Sequence, residues 1–201
     1  MQSCSSSSIP LIVKVIHDFI PSLTISVNWF KHQASLGNTL TPKQVKKQPS
    51  ITIHDETNPD YCQTNNMTYV ITLTDPDAPS RDDPKWSEMC HWIAAGVPLG
   101  KTVSMLPAPF IGMGKNSDLD EVMEYMAPSP PEKTGKHRYV FLVFAPSNGT
   151  TLPLDLSKPK DRQHWGTGEE RQGVRAWAEE NGLMPVGEYV QSCGWSCANS
   201  Q

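Results

Sequence analysis

A two-residue alternation of apolar and polar positions dominates this chain, and a four-residue spacing is confined to a few short stretches. Leu23, Ile25, Val27 and Trp29 alternate with Thr24, Ser26 and Asn28. That period buries one face of a strand and leaves the other to solvent. Ser50 to Ile53 predicts a shorter strand. Along Thr68 to Asp75, Tyr69, Ile71, Leu73 and Asp75 share one face, while Thr68, Thr72 and Thr74 share the other. Parity thus puts a carboxyl group on the apolar side. Pro76 ends the ladder, since proline has no amide hydrogen to give. Met89 to Ala95, His137 to Phe144 and Pro185 to Gln191 complete the predicted strands.

The helical signals are fewer. Leu11, Val15 and Phe19 predict a short helix ended by Pro21. Thr41-Pro-Lys-Gln44 predicts a helix start, with a hydroxyl cap, an early proline and a glutamine three residues on. Thr167-Gly-Glu-Glu170 has the same capping spacing and predicts a helix to about Asn181, stopped by Asn181-Gly182. Val174, Trp177 and Ala178 form its inward stripe; Arg171, Arg175 and Glu179 face out. Residues 145–166 read as loop. The fold class is mainly β, in the α+β sense, with peripheral helices.

Length changes little: 201 residues suit one domain. We assign it to residues 9–192, after a serine-rich stretch (1–8) predicted to be disordered and before a flexible tail (193–201). The net charge of −4 argues against non-specific nucleic-acid binding and gives no support for electrostatic attachment to anionic membranes. No run approaches the roughly 18 apolar residues of a membrane helix. The apolar stretch Ile9 to Ile20 is broken by Lys14, His17 and Asp18 and lacks a signal-peptide pattern, so the cytoplasm is the expected location. Five scattered cysteines make no disulfide framework, and Cys193 and Cys197 are expected to be free thiols.

Three segments carry candidate chemistry. In Asp75-Pro-Asp-Ala-Pro-Ser-Arg81 the carboxylates can cap backbone amides in a rigid turn. Alternatively, a buried Asp75 requires a partner, which Arg81 or a histidine can supply. His91, in Cys90-His-Trp-Ile93, is by itself the kind of histidine that usually sits satisfied in a core. In Gly135-Lys-His-Arg-Tyr139, His137 and Tyr139 project to one face and Arg138 to the other, where a structural ion pair is expected. One carboxylate, two imidazoles and a phenol suit binding of a phosphate or carboxylate through neutral donors. The imidazoles also suit proton transfer. An acid and two histidines can hold iron or zinc, but nothing in their spacing favours a metal, and no cofactor is predicted. Hydrolase elbow, glycine-rich phosphate loop and His-Glu-x-x-His patterns are absent.

Asp75 to Arg81 followed by Cys90-His-Trp-Ile93 resembles the first signature of the phosphatidylethanolamine-binding protein family. Pro130-Pro131, Gly135 and His137-Arg-Tyr-Val-Phe141 resemble the second. Gly37 to Val45 upstream also fits, and Trp165-Gly166 and Asn181 resemble the fungal branch. The likeness runs from about Val15 to about Val186.

The resemblance implies a central antiparallel sheet packed on a smaller second sheet with a few peripheral helices. It implies a pocket for phosphate, acetate or a phospholipid head group, lined by Asp75, Trp86, His91, Pro131, His137 and Tyr139. Asp75 would orient a histidine or accept from the ligand, His91 and His137 would donate to the anion, and Tyr139 would add a hydroxyl. Trp86 and Pro131 would be apolar walls. Family members bind lipids, inhibit kinases, or, in the fungal example, inhibit a serine carboxypeptidase. A carboxypeptidase inhibitor of this type would approach its enzyme with the N-terminal segment, here Ser3 to Ser8. The alternative is an enzyme on this fold, an isomerase or cyclase of fungal secondary metabolism, with Asp75, His91 and His137 as acid, base or hydrogen-bond donors. Two departures favour a changed ligand. Ala127 and Ser129 stand in the loop where the family usually has glycine, and Glu188, Val190 and a cysteine pair replace an aromatic C-terminal strand.

Overall fold

The computed structural model describes residues 15, 19–35, 38–55, 67–100 and 119–194. The predicted disorder of residues 1–8, the helix over Leu11 to Phe19 and Cys197 fall outside them in whole or in large part. In chain order the strands are β1 (Thr24–Trp29), β2 (His32–Gln33), β3 (Thr39–Leu40), β4 (Ser50–His54), β5 (Thr68–Asp75), β6 (Met89–Pro98), β7 (Asp120–Met123), β8 (His137–Pro146) and β9 (Leu183–Cys193). One α-helix, α1 (Gly173–Glu180), lies between β8 and β9.

The strands make two sheets. The large one runs β3-β9-β8-β5-β6-β7 and the small one β2-β1-β4. Every pairing is antiparallel except β3 with β9 at the edge. The alternation along β5 is realised: Tyr69, Ile71 and Leu73, with Phe141 and Val143 of β8, pack against Ile25 and Val27 of β1 and Ile51 and Ile53 of β4. Ile51, Ile53, Leu73 and Phe141 are wholly buried, and each such side chain contributes about 1.5–3 kcal/mol through removal from water. The opposite face of the large sheet, Val70, Val140, Leu142 and Phe144, is covered by Trp165 and by Val174 and Trp177 of α1. Both central strands are therefore buried on two sides, and that is why β8 reads as a continuous apolar run.

Several predicted boundaries are corrected. Thr41 to Gln44 makes one turn and no helix. The Gln44 amide donates to the Thr41 carbonyl at 2.9 Å, and the Thr41 amide donates to Gln44 Oε1 at 2.7 Å. Only the glutamine half of the capping exchange forms, because the Thr41 hydroxyl donates to Gln44 Oε1 at 3.0 Å and does not accept from the Gln44 amide, and no helix follows. The later helix starts at Gly173, not near Thr167. The Thr167 hydroxyl is spent on its own turn, donating to the His164 carbonyl at 2.7 Å. The cap comes instead from a distant residue: Glu88 Oε2 accepts from the Val174 amide at 3.0 Å. The helix does end at Asn181 and Gly182, where Gly182 takes a φ of 63°. The last strand runs through Cys193, which the sequence placed in the tail. Cys193 is wholly buried and free. Among the described residues no helix is long and apolar enough to cross a membrane.

Candidate functional site

The carboxyl end of β5 and the start of β8 lie side by side, because Thr74 pairs with Val140 in antiparallel register. Asp75, His137 and Tyr139 consequently emerge on the face that meets the small sheet. Asp75 and His137 are 2% and 1% exposed, so each needs a partner. Asp75 Oδ2 accepts from His137 Nδ1 at 2.8 Å, and Asp75 Oδ1 accepts from the Asp77 amide at 2.8 Å. Both readings of this turn hold together: the carboxylate caps the backbone and also holds a histidine. The other ring nitrogen of His137 lies 3.0 Å from Thr134 Oγ1, which donates to the Pro131 carbonyl at 2.8 Å.

His91 reaches the same place by an irregularity. Leu73 pairs with Trp92, yet Thr74 pairs with Cys90, so His91 is an extra residue in β6. Such a bulge re-aims a side chain. The His91 ring meets Tyr139 edge-on, with centroids 5.2 Å apart, and its Nδ1 donates to the Met126 carbonyl at 2.8 Å. Burial pulls the His91 pKa below its ordinary value, against the opposing pull of Asp75 and Met126. The ring is neutral at pH 7, and Nε2 is an acceptor. Burial, reinforced by the Asp75 charge, pushes the Tyr139 phenol well above its usual range. Its hydroxyl interacts with the Asp75 carboxylate and the Ser129 amide.

Asp77 anchors the turn from the opposite side. Arg138 gives it a backbone amide at 2.8 Å, Nε at 3.0 Å and Nη2 at 2.6 Å, and Arg81 adds a weaker contact at 3.4 Å. Burial alone raises the Asp77 pKa, but the hydrogen bonds and charge of Arg138 outweigh it and hold the carboxyl below its ordinary value. Arg138 thus makes the structural ion pair expected of its face.

Asp75, Trp86, His91, Pro131, His137 and Tyr139 line a single cavity of about 180 Å³. Sequence reasoning missed its other apolar walls, Ala78, Pro79, Met89 and Met126. Alanine, proline and methionine carry no chemical signal, and only proximity identifies them. Ala127 and Ser129 also line the cavity, so the departures in that loop do fall on the site. Glu188 does not: it pairs with Leu142, whose side chain belongs to the core under α1, so the expected change of pocket wall at Glu188 is not found. The donor roles expected of the two histidines also change. Both nitrogens of His137 are already engaged, and His91 has spent its hydrogen on Met126. A second, larger groove of about 320 Å³ lies between residues 157–167 and α1. It has two tryptophans and two lysines but no carboxylate–imidazole cluster. Among the described residues no group of three or more histidines, cysteines or acids is placed to hold a metal.

Residues 26–187 match the phosphatidylethanolamine-binding protein family. The carboxypeptidase Y inhibitor of Saccharomyces cerevisiae is 33% identical over 195 residues, covering 88% of this chain and 87% of the inhibitor. The rice protein MOTHER of FT and TFL1 homolog 2 (Oryza sativa subsp. japonica) is 28% identical over 163 residues, covering 79% of this chain and 80% of its own. Among solved structures, carboxypeptidase Y inhibitor complexed with its cognate proteinase superposes with a TM-score of 0.73 at 30% identity, covering 91% of this chain and 89% of that one. A phosphatidylethanolamine-binding protein from Plasmodium vivax shares the fold, with a TM-score of 0.62 at 18% identity over 88% of this chain and 87% of its own. Two sheets, a short carboxylate-bearing turn and two histidines on one cavity accompany these likenesses, and the chain belongs to the phosphatidylethanolamine-binding protein family.

Proposed function

We propose that the cavity binds a small anion, a phosphate or carboxylate such as a phospholipid head group, and that the protein regulates or inhibits a partner enzyme, a serine carboxypeptidase in preference to a kinase. The observation that carries the binding reading is the convergence of Asp75, His91, His137 and Tyr139 on one small cavity. Its size supports binding over the isomerase or cyclase alternative. About 180 Å³ lies below the roughly 300–1,000 Å³ typical of pockets that enclose a drug-sized molecule. It suits a head group or a small acid. The inhibitory reading rests on the relative that inhibits carboxypeptidase Y, at 33% identity over most of both chains. Free, buried Cys90 and Cys193 suit a reducing compartment and support a cytoplasmic location.

Calorimetric titration with phosphorylethanolamine, inorganic phosphate and acetate tests the binding. The wild type binds at least one of them, and His137→Ala abolishes the heat. Absence of binding by the folded wild type removes the reading. For the partner, rates of peptide hydrolysis by a serine carboxypeptidase with increasing protein fall to a plateau if the inhibitory reading holds; unchanged rates at saturating protein refute it.

A further inference from the structure

No lysine or arginine lines the cavity among the described residues. The nearby cations are committed elsewhere. Arg162 donates from Nη1 to the carbonyls of Cys90 and His91, at 3.2 and 3.3 Å, and from Nη2 to the carbonyl of Glu124 at 2.9 Å. Arg138 and Arg81 clasp Asp77. The charged group that does line the cavity is the carboxylate of Asp75. A doubly charged anion entering here would lose its water beside a carboxylate that already holds His137, with no lysine or arginine brought up to it.

The hydrogen-bonding edges point the same way. Nδ1–H of His91 is given to Met126, so Nε2 remains for the cavity as an acceptor. Nδ1 of His137 is held by Asp75 and Nε2 by Thr134. An oxyanion without hydrogen would meet lone pairs at His91. One proton removes both conflicts, since it lowers the ligand's charge and makes the missing hydrogen bond.

Resting on the reading that this cavity holds a phosphate or carboxylate, we propose that the anion enters together with one proton, shared between a ligand oxygen and Nε2 of His91. The site therefore selects the singly charged form of a phosphate or phosphate monoester, and binding weakens as pH rises. The groups facing His91 set the balance. Asp75 on β5 favours the added proton; His137 on β8 and Arg162 in the loop before α1 oppose it, and Tyr139 packs against the ring without charge. Burial keeps the empty ring neutral, so the proton arrives with the ligand. Glu124 contributes only its backbone carbonyl, which Arg162 occupies.

The test is calorimetry of the whole chain with inorganic phosphate, in pairs of buffers that differ in ionisation heat, from about pH 6 to about pH 8.5. Linkage predicts uptake of close to one proton at about pH 8, and an affinity that falls about tenfold per pH unit there. Sulfate has the same shape but stays doubly charged. It binds about tenfold or more weakly than phosphate at neutral pH, as expected for a missing charged hydrogen bond. His91→Phe keeps an aromatic ring against Tyr139 and removes the acceptor, and it abolishes the preference for phosphate over sulfate. The buffer heats need no variant, so a misfolded His91→Phe leaves the test intact. Phosphate binding with no buffer-dependent heat and no pH dependence overturns this inference and leaves anion binding standing. No phosphate binding at any pH overturns both.

Discussion

Replacing Arg138 with methionine removes the main partner of a buried carboxylate while keeping most of the side-chain volume. Asp77 is 1% exposed and accepts from three donor groups of residue 138, the backbone amide, Nε and Nη2. Removing one member of a buried ion pair costs about 3–5 kcal/mol, because the remaining charge is left without compensation. Two features place Arg138→Met at the low end. The backbone amide of residue 138 still donates at 2.8 Å, and Arg81 stands 3.4 Å away to take a larger share. The expected loss is about 3 kcal/mol at neutral pH. That is a large part of the roughly 5–15 kcal/mol that holds a domain together. With a urea slope of about 2 kcal/mol per molar, the midpoint falls by about 1.5 M. Tryptophan fluorescence reports the transition, since six tryptophans are spread along the chain.

The pH dependence supplies a check on the cause. The folded pKa of Asp77 is depressed, so its contribution is present above the unfolded value and is lost as pH falls through the folded one. The wild type therefore loses this advantage on acidification below about pH 4. Arg138→Met has little of it to lose, and adding Asp77→Asn recovers stability by removing the unpaired charge. A variant within about 0.5 kcal/mol of the wild type at neutral pH would show that the pair is not what holds this turn.

Three further outcomes follow from the same structure. Burial pushes the Glu88 pKa up to about 8 from an ordinary 4.5, so the folded state holds a proton that the unfolded state has released, and stability declines as pH rises between those values. Glu88→Gln keeps an acceptor for the Val174 amide and removes the ionisation. Its stability to urea matches the wild type near pH 5 and exceeds it near pH 8, by on the order of 1 kcal/mol or more; parallel curves would refute the assignment. Gly166 has a φ of 78°, and a Cβ there would sit 2.9 Å from the Lys160 amide nitrogen. Gly166→Ala therefore lowers the urea midpoint, by about 1–3 kcal/mol of stability, and an unchanged midpoint would contradict the packing. Burial pushes the thiols of Cys90 and Cys193 up to about 12, so mass spectrometry finds neither alkylated in the native protein and both alkylated in urea.

What the sequence revealed and what it hid divide along local and non-local physics. The face of Asp75, the shared face of His137 and Tyr139 and the outward Arg138 all follow from parity within one strand, and parity survives folding wherever the ladder is regular. His91 escapes that logic, because the extra residue in β6 exists only relative to its partner β5. The true start of α1 was hidden for a similar reason. Its cap is a glutamate 86 residues away, and the local Thr167 oxygen accepts from the Glu169 amide in its own turn. At Thr41 only the glutamine side chain reaches back as the spacing predicts, and the residues after Gln44 fold away from a helical path. Trp165 read only as a family likeness. In the structure it takes a φ of 54° and donates to Thr74 Oγ1 at 3.1 Å, which ties the loop before α1 to the strand that carries Asp75.

An NMR titration of the histidine rings with phosphorylethanolamine tests directly whether Asp75, His91, His137 and Tyr139 form an anion site. Saturable shifts are expected at His91 and His137, with the rings of His32, His54 and His164 unmoved. Saturation that shifts any of those three while leaving His91 and His137 unchanged would place the ligand elsewhere and show that this cavity is not the anion site.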